Sequence, residues 1–140
     1  MSDLRDLYQE IIVDHSRHPR NHHKLECANH QAEGFNPLCG DRLTLYVQVE
    51  NGKIQDISFI GSGCAISTAS ASIMTEQLKN KTLLEADQLF QTFHDLLTKP
   101  DEPTEELGKL AVFSGVREYP SRVKCATLAW HALHSALEEK

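Results

Sequence analysis

Leu4, Leu7, Tyr8, Ile11 and Ile12 recur at helical spacing in a polar background, and His18-Pro19 ends the pattern, so the sequence predicts a first helix with Ser2 as candidate cap. From Cys27 to Asn36 the residues are polar, glycine-bearing and aperiodic, which reads as an extended loop with room for an edge strand. Leu43, Leu45, Val47 and Val49 then alternate with Arg42, Thr44, Tyr46, Gln48 and Glu50, the period of a half-buried strand. Asn51-Gly52 is a strong hairpin signal and returns the chain into a second strand near Ile54 to Ile60. Its alternation breaks at Gln55 and Asp56, where a bulge is expected.

Periodicity then returns to helical. Cys64 to Lys79 is rich in small residues (Ala65, Ser67, Ala69, Ser70, Ala71, Ser72), a surface suited to tight packing on a sheet. Thr82 and Glu85 have capping-box spacing, and Ala86, Leu89, Phe90, Phe93 and Leu97 form one core-facing stripe. Pro100 to Pro103 interrupts the chain, and Leu110 to Val116 is apolar without a clear period. Pro120 suits the first turn of a last helix, on which Cys125, Leu128, Ala132 and Ala136 share a face. The plan is α+β: a small antiparallel sheet, hairpin plus edge strand, packed against several helices. At 140 residues and 40% hydrophobic content, one domain spanning 1–140 can bury its own core.

Charge and composition narrow the function. A formal charge of −6 argues against nucleic-acid binding, which needs a basic face to displace counterions. The local basicity of Arg17-His18-Pro19-Arg20 and His22-His23-Lys24 suits a small protein contact or a solvated loop. No run approaches the ~20 apolar residues of a membrane span and no apolar signal core opens the chain, so a cytoplasmic location is expected. In that reducing compartment the four cysteines are more naturally ligands, nucleophiles or buried thiols than disulfides.

Three of those cysteines carry the candidate chemistry: Cys39-Gly40-Asp41, then Cys64, then Cys125. Three thiolates and one carboxylate complete a tetrahedral shell around a zinc-sized ion if the fold gathers them. Their spacing is not that of a zinc finger, which pairs its cysteines locally. The hairpin supplies a gathering device, because it sets Cys39 before the outgoing strand at the same end as Cys64 after the returning one. Cys64 also opens a helix, where unpaired N–H groups and the positive dipole end favour a thiolate. Without other information, an aspartate leading a strand, as Asp41 does, is more often a turn former than a ligand.

These segments carry a resemblance. Asn36-Pro37-Leu38-Cys39-Gly40-Asp41, Gly61-Ser62-Gly63-Cys64-Ala65-Ile66-Ser67 with Ala69-Ser70-Ala71-Ser72, and Val123-Lys124-Cys125-Ala126-Thr127-Leu128 together resemble the iron–sulfur cluster assembly proteins of the IscU/NifU N-terminal type, and most closely the SufU branch. The likeness extends to Leu7-Tyr8 and to Asp14-His15 through Pro19-Arg20-Asn21. Scaffold-type members usually carry histidine directly before the third cysteine, whereas this chain has Lys124, and an insertion lies around Leu97 to Gly115. Both features are typical of SufU. The resemblance implies an IscU/SufU-like fold and Zn²⁺ held by Cys39, Asp41, Cys64 and Cys125. It also implies a sulfur acceptor that takes a persulfide from a SufS-like cysteine desulfurase and passes it to a SufB/SufC/SufD-type assembly complex. The alternative is a scaffold holding a transient iron–sulfur cluster through Cys39, Cys64 and Cys125.

Thiol chemistry assigns roles within that set. A metal-bound thiolate is a muted nucleophile, so sulfur transfer requires one ligand to leave the metal while another group takes its place. Cys39, expected on a loop, is the thiol best able to swing, and its attack on a donor persulfide is a displacement of the thiol–disulfide type. Arg122, one helical turn before Cys125, is either a catalytic cation that stabilises a thiolate or persulfide, or a solvent-facing side chain. A zinc hydrolase is disfavoured, since a four-ligand protein shell leaves no open position and no base is evident. Cys27 lies among His22, His23 and His30, residues able to bind zinc but more often simply part of a polar loop. His131 and His134 fall outside the motifs and read as surface or packing residues.

Overall fold

A computed structural model describes residues 3–37, 40–99 and 108–138; the side chains of 3–7, 117, 118 and 138 lie outside that description. The candidate cap Ser2 and the proline-bounded stretch 100–103 fall outside it as well. Helix α1 is Asp3–Arg17, strand β1 is His30–Asn36, and the hairpin comprises β2, Asp41–Glu50, and β3, Lys53–Ser62. Helices α2, Ala65–Leu78, and α3, Leu83–Thr98, follow; a 3-10 helix, Gly108–Glu118, then leads into α4, Pro120–Glu138.

The sheet is antiparallel in the order β1-β2-β3. Asn51 and Gly52 both take positive φ, 56° and 75°, as a tight turn matched to strand twist requires. The register shifts after Gln48: Gln48 pairs with Asp56 but Val49 with Ile54, so Gln55 is the extra residue of the expected bulge. β2 pairs Leu43 with Gly61 and Arg42 with Ser62, which places the start of β2 and the end of β3 side by side. The far edge of β3 is covered, with Phe59 N–H donating to Asn21 O and Ile54 N–H to Lys81 O.

Leu45, Val47, Ile57 and Phe59 point to one sheet face and are fully or almost fully buried. α4 packs on β1 and β2, and α2 packs against β3, α1 and α4. The edge strand is thus real, and its inward residues explain its faint signature. They are Ala32, Gly34 and Asn36 because α4 lies close: a Cβ on Gly34 would sit 3.1 Å from Leu128 Cδ1.

α3 has the expected capping box, with Thr82 and Glu85 exchanging both bonds. Ala86, Phe93 and Leu97 of its stripe are buried, and Leu89 and Phe90 pack half-buried against the core. Leu110 to Val116 forms part of the 3-10 helix, whose Phe113 meets Phe93 edge-on at 5.9 Å. His131 and His134 are exposed and gather around Phe90, in packing positions as expected. Among the described residues no helix is long and apolar enough to cross a membrane.

Candidate metal centre

The hairpin brings the first pieces together. Asp41 opens β2 and Cys64 follows β3 by two residues, so strand pairing alone makes them neighbours. Asp41 is fully buried, and its Oδ1 accepts the backbone N–H of Cys64 at 2.8 Å. Gly63 permits this approach: a Cβ there would lie 2.6 Å from Asp41 Oδ1, closer than any side-chain carbon is found.

Cys64 caps α2. Its extended backbone (φ −71°, ψ 168°) stands just outside the helix, and its Sγ accepts the Ser67 N–H at 3.4 Å. A thiolate at this place satisfies an otherwise unpaired helix donor and meets the positive end of the helix dipole. Cys125 is delivered by the second turn of α4 and is fully buried. The two helices are tied beside it by the Ser70 hydroxyl, which donates to Ala126 O at 2.5 Å.

Asp41, Cys64 and Cys125 accordingly form one group in which the ligand atoms, one from each, all lie within 4.8 Å of one another. The other carboxylate oxygen, Asp41 Oδ2, is buried and has no hydrogen-bond partner among the described residues. A buried carboxylate oxygen left unpaired costs free energy unless something cationic meets it, and the Asp41 carboxylate belongs to the same group as the sulfurs of Cys64 and Cys125. Two thiols with a carboxylate suit Zn²⁺ or iron, with one ligand position of a tetrahedron still to be supplied. Cys39, the expected fourth ligand, lies outside the described residues, two positions from Asp41 in sequence.

Arg122 is exposed on the first turn of α4, one turn before Cys125. Two further residues shape the site. Asn36, 6% exposed, faces Asp41 across the β1–β2 ladder and directs its Nδ2 to Cys125 Sγ at 3.6 Å. The sequence presents Asn36 only as part of a turn; the register of the edge strand β1, which the sequence does not fix, places it at the site. Gly63 likewise reads as a generic turn residue until the carboxylate is seen against it.

The leftover Cys27 and its nearby histidines do not converge. Cys27 Sγ meets Gln48 Oε1, His30 Nδ1 lies 2.9 Å from Ala136 O, and His23 Nδ1 lies 3.1 Å from Lys24 O. Among the described residues the Asp41 group is the one cluster with metal-ligand geometry.

An α+β fold whose sheet end and two helices gather thiols around a buried carboxylate defines a small protein with a candidate metal-thiolate site. The chain belongs to the NifU-like N terminal domain family, which matches residues 7–126. It is 40% identical over 139 residues to the iron-sulfur cluster assembly scaffold protein IscU of Streptococcus pyogenes serotype M1, covering 99% of this chain and 87% of that one. It is 36% identical over 140 residues to the zinc-dependent sulfurtransferase SufU of Bacillus subtilis strain 168, covering 99% and 95%. The crystal structure of FiSufU from Fervidobacterium islandicum AW-1, a candidate assembly scaffold protein for the SUF system, superimposes with a TM-score of 0.87 at 39% identity, covering 95% of this chain and 98% of that one.

Proposed function

We propose that this protein is a zinc-bound sulfur acceptor in iron–sulfur cluster biogenesis, taking sulfur from a SufS-like cysteine desulfurase onto Cys39 and passing it to a SufB/SufC/SufD-type complex. The observation that carries this reading is the convergence of the Asp41 carboxylate, whose Oδ2 is buried without a hydrogen-bond partner among the described residues, with the sulfurs of Cys64 and Cys125. A carboxylate among thiolates suits a redox-inert, tetrahedral ion. Lys124, where scaffold-type members carry histidine, and the relation to a zinc-dependent sulfurtransferase support the same choice.

Asp41, Cys64, Cys125 and Cys39 would hold the ion, and Zn²⁺ bound there keeps thiols deprotonated near neutral pH. Asp41, Cys64 and Cys125 sit on a strand start and two helices that packing fixes in place, so Cys39 is the ligand that leaves and reacts. Its thiolate attacks the terminal sulfur of the donor persulfide; the donor S–S bond breaks, a new one forms on Cys39, and the donor cysteine departs as a thiolate. One S–S bond replaces another, so the exchange needs no outside oxidant. Arg122 stabilises the persulfide anion by charge.

The relation to IscU favours one second reading, a scaffold holding a transient cluster on Cys39, Cys64 and Cys125. Metal analysis, absorption and mass spectrometry after incubation with desulfurase and cysteine decide between them. Stoichiometric zinc, no visible chromophore and added sulfur on Cys39 are expected. A brown, oxygen-sensitive protein that gains no sulfur on any thiol overturns the acceptor reading in favour of the scaffold.

A further inference from the structure

Strand alternation puts a second set of side chains at the site's end of the sheet, on the face opposite the ligands. Asn36 and Asp41 are ladder partners facing inward; one position along, Phe35 and Arg42 are partners facing outward, and Arg42 pairs onward with Ser62 of β3. All three are exposed, Phe35 by 56%. The Arg42 guanidinium lies over the Phe35 ring, 5.1 Å from its centroid. Tyr119, 60% exposed, immediately precedes α4, the helix that carries Cys125.

The charge of this end runs against that of the molecule. The chain carries −6, yet Arg42, Arg122 and Lys124 are exposed around the site, with Glu33 two positions beyond Phe35 on the outer face of β1. Arginine and aromatic side chains are the types that dominate binding energy at protein contacts. Stacking also holds the Arg42 head group in place before any contact forms, which lowers the entropy lost on association.

We propose that Phe35 and Arg42 form the docking surface for the persulfide donor: a protein face with an apolar patch for Phe35 and carboxylates for Arg42. This rests on the sulfur-acceptor reading and names which side chains would recognise that partner. The surface adjoins the site through single-residue steps of the same strands, so a partner seated on it holds its persulfide over the end of the sheet. Glutamate or aspartate opposite Arg42 makes association fall with salt, because exposed charges are screened over about 8 Å at physiological ionic strength.

The test measures persulfide loading against the concentration of the SufS-type cysteine desulfurase of the same organism, for the zinc-loaded protein and for Phe35→Ser, Arg42→Glu and Leu84→Ser. Leu84 is 67% exposed beside the Asn51-Gly52 turn, at the opposite end of the hairpin, and serves as the control. Phe35→Ser and Arg42→Glu are each expected to raise the half-saturating concentration about tenfold. Zinc content, thermal midpoint and loading at saturation should stay unchanged, and Leu84→Ser should behave as the parent. Equal half-saturation for all four proteins overturns the docking surface and leaves the acceptor reading standing. A parent that takes up no sulfur at any desulfurase concentration overturns both. A parent dimer that Phe35→Ser converts to monomer, with unchanged half-saturation, reassigns the patch to self-association.

Discussion

Asp41 Oδ1 accepts the backbone N–H of Cys64 at 2.8 Å, across a gap that only a glycine at 63 leaves open. One candidate ligand is thereby oriented by the main chain of another, and the carboxylate's second oxygen is left without a hydrogen-bond partner among the described residues. Gly63→Ala should break this arrangement by pushing the carboxylate aside. Since the strain falls on one buried side chain, we expect zinc affinity to drop about tenfold to a hundredfold, the scale of losing a partner that orients a ligand. Chelator competition checks it, with far-ultraviolet circular dichroism showing the fold retained. An unchanged affinity would mean that Asp41 needs no such alignment.

Asn36 is the second group aimed at the site, its amide donating toward Cys125 Sγ. An N–H···S bond draws electron density from a thiolate, so Asn36→Ala should leave a more electron-rich sulfur and a less well-placed one. In cobalt-substituted protein the sulfur-to-cobalt charge-transfer band should move to lower energy, and zinc affinity should fall about tenfold. A band identical to that of the parent would assign Asn36 to packing alone.

Much of this was legible in the residues. The alternation of Leu43 to Val49 and the Asn51-Gly52 turn fix the hairpin, and the hairpin is what brings Asp41 and Cys64 together. The Thr82–Glu85 box marks the start of α3 and Pro120 that of α4, since both are rules of local backbone satisfaction. β1 was faint because its inward side chains are shaped by α4, a partner remote in sequence: Gly34 for lack of room under Leu128, Asn36 for a sulfur 89 residues away. The 3-10 helix was equally hidden, its apolar residues being set by the packing of Phe113 on Phe93 rather than by a regular period. The family likeness named the candidate ligands, but the unpartnered Asp41 oxygen and the amide of Asn36 are facts of three-dimensional packing.

Removing the metal should lower stability. The ligand group exists only in the folded chain, so an ion bound there stabilises it by mass action, about 2.7 kcal/mol at a hundred times the dissociation constant. A chelator is therefore expected to reduce the thermal midpoint of the parent by several degrees and that of Asp41→Ala by much less. Equal shifts in the two proteins would place the stabilising ion somewhere else.

A pH effect should arise away from the site, where α1 docks on α2. His15 is 1% exposed, with Nδ1 2.7 Å from the Ser72 hydroxyl, which also accepts the Arg20 N–H at 2.8 Å. Burial, followed by the charge of Arg20, pushes its pKa below the ordinary value, while Glu76, 3.7 Å from Nε2, pulls the other way. The unfolded chain, with histidine near 6.5, thus binds the proton before the folded one does. Stability is full above that value and is lost as pH falls toward the lower native pKa, with a slope of at most about 1.4 kcal/mol per pH unit for this single proton. His15→Gln keeps a polar group near Ser72 and removes the titration. Denaturant unfolding of the metal-free proteins from pH 7.5 to 5.5 should show the parent losing stability faster than the variant, so the gap between them narrows on acidification. A gap that stays constant across the range would show that His15 carries no part of the acid sensitivity.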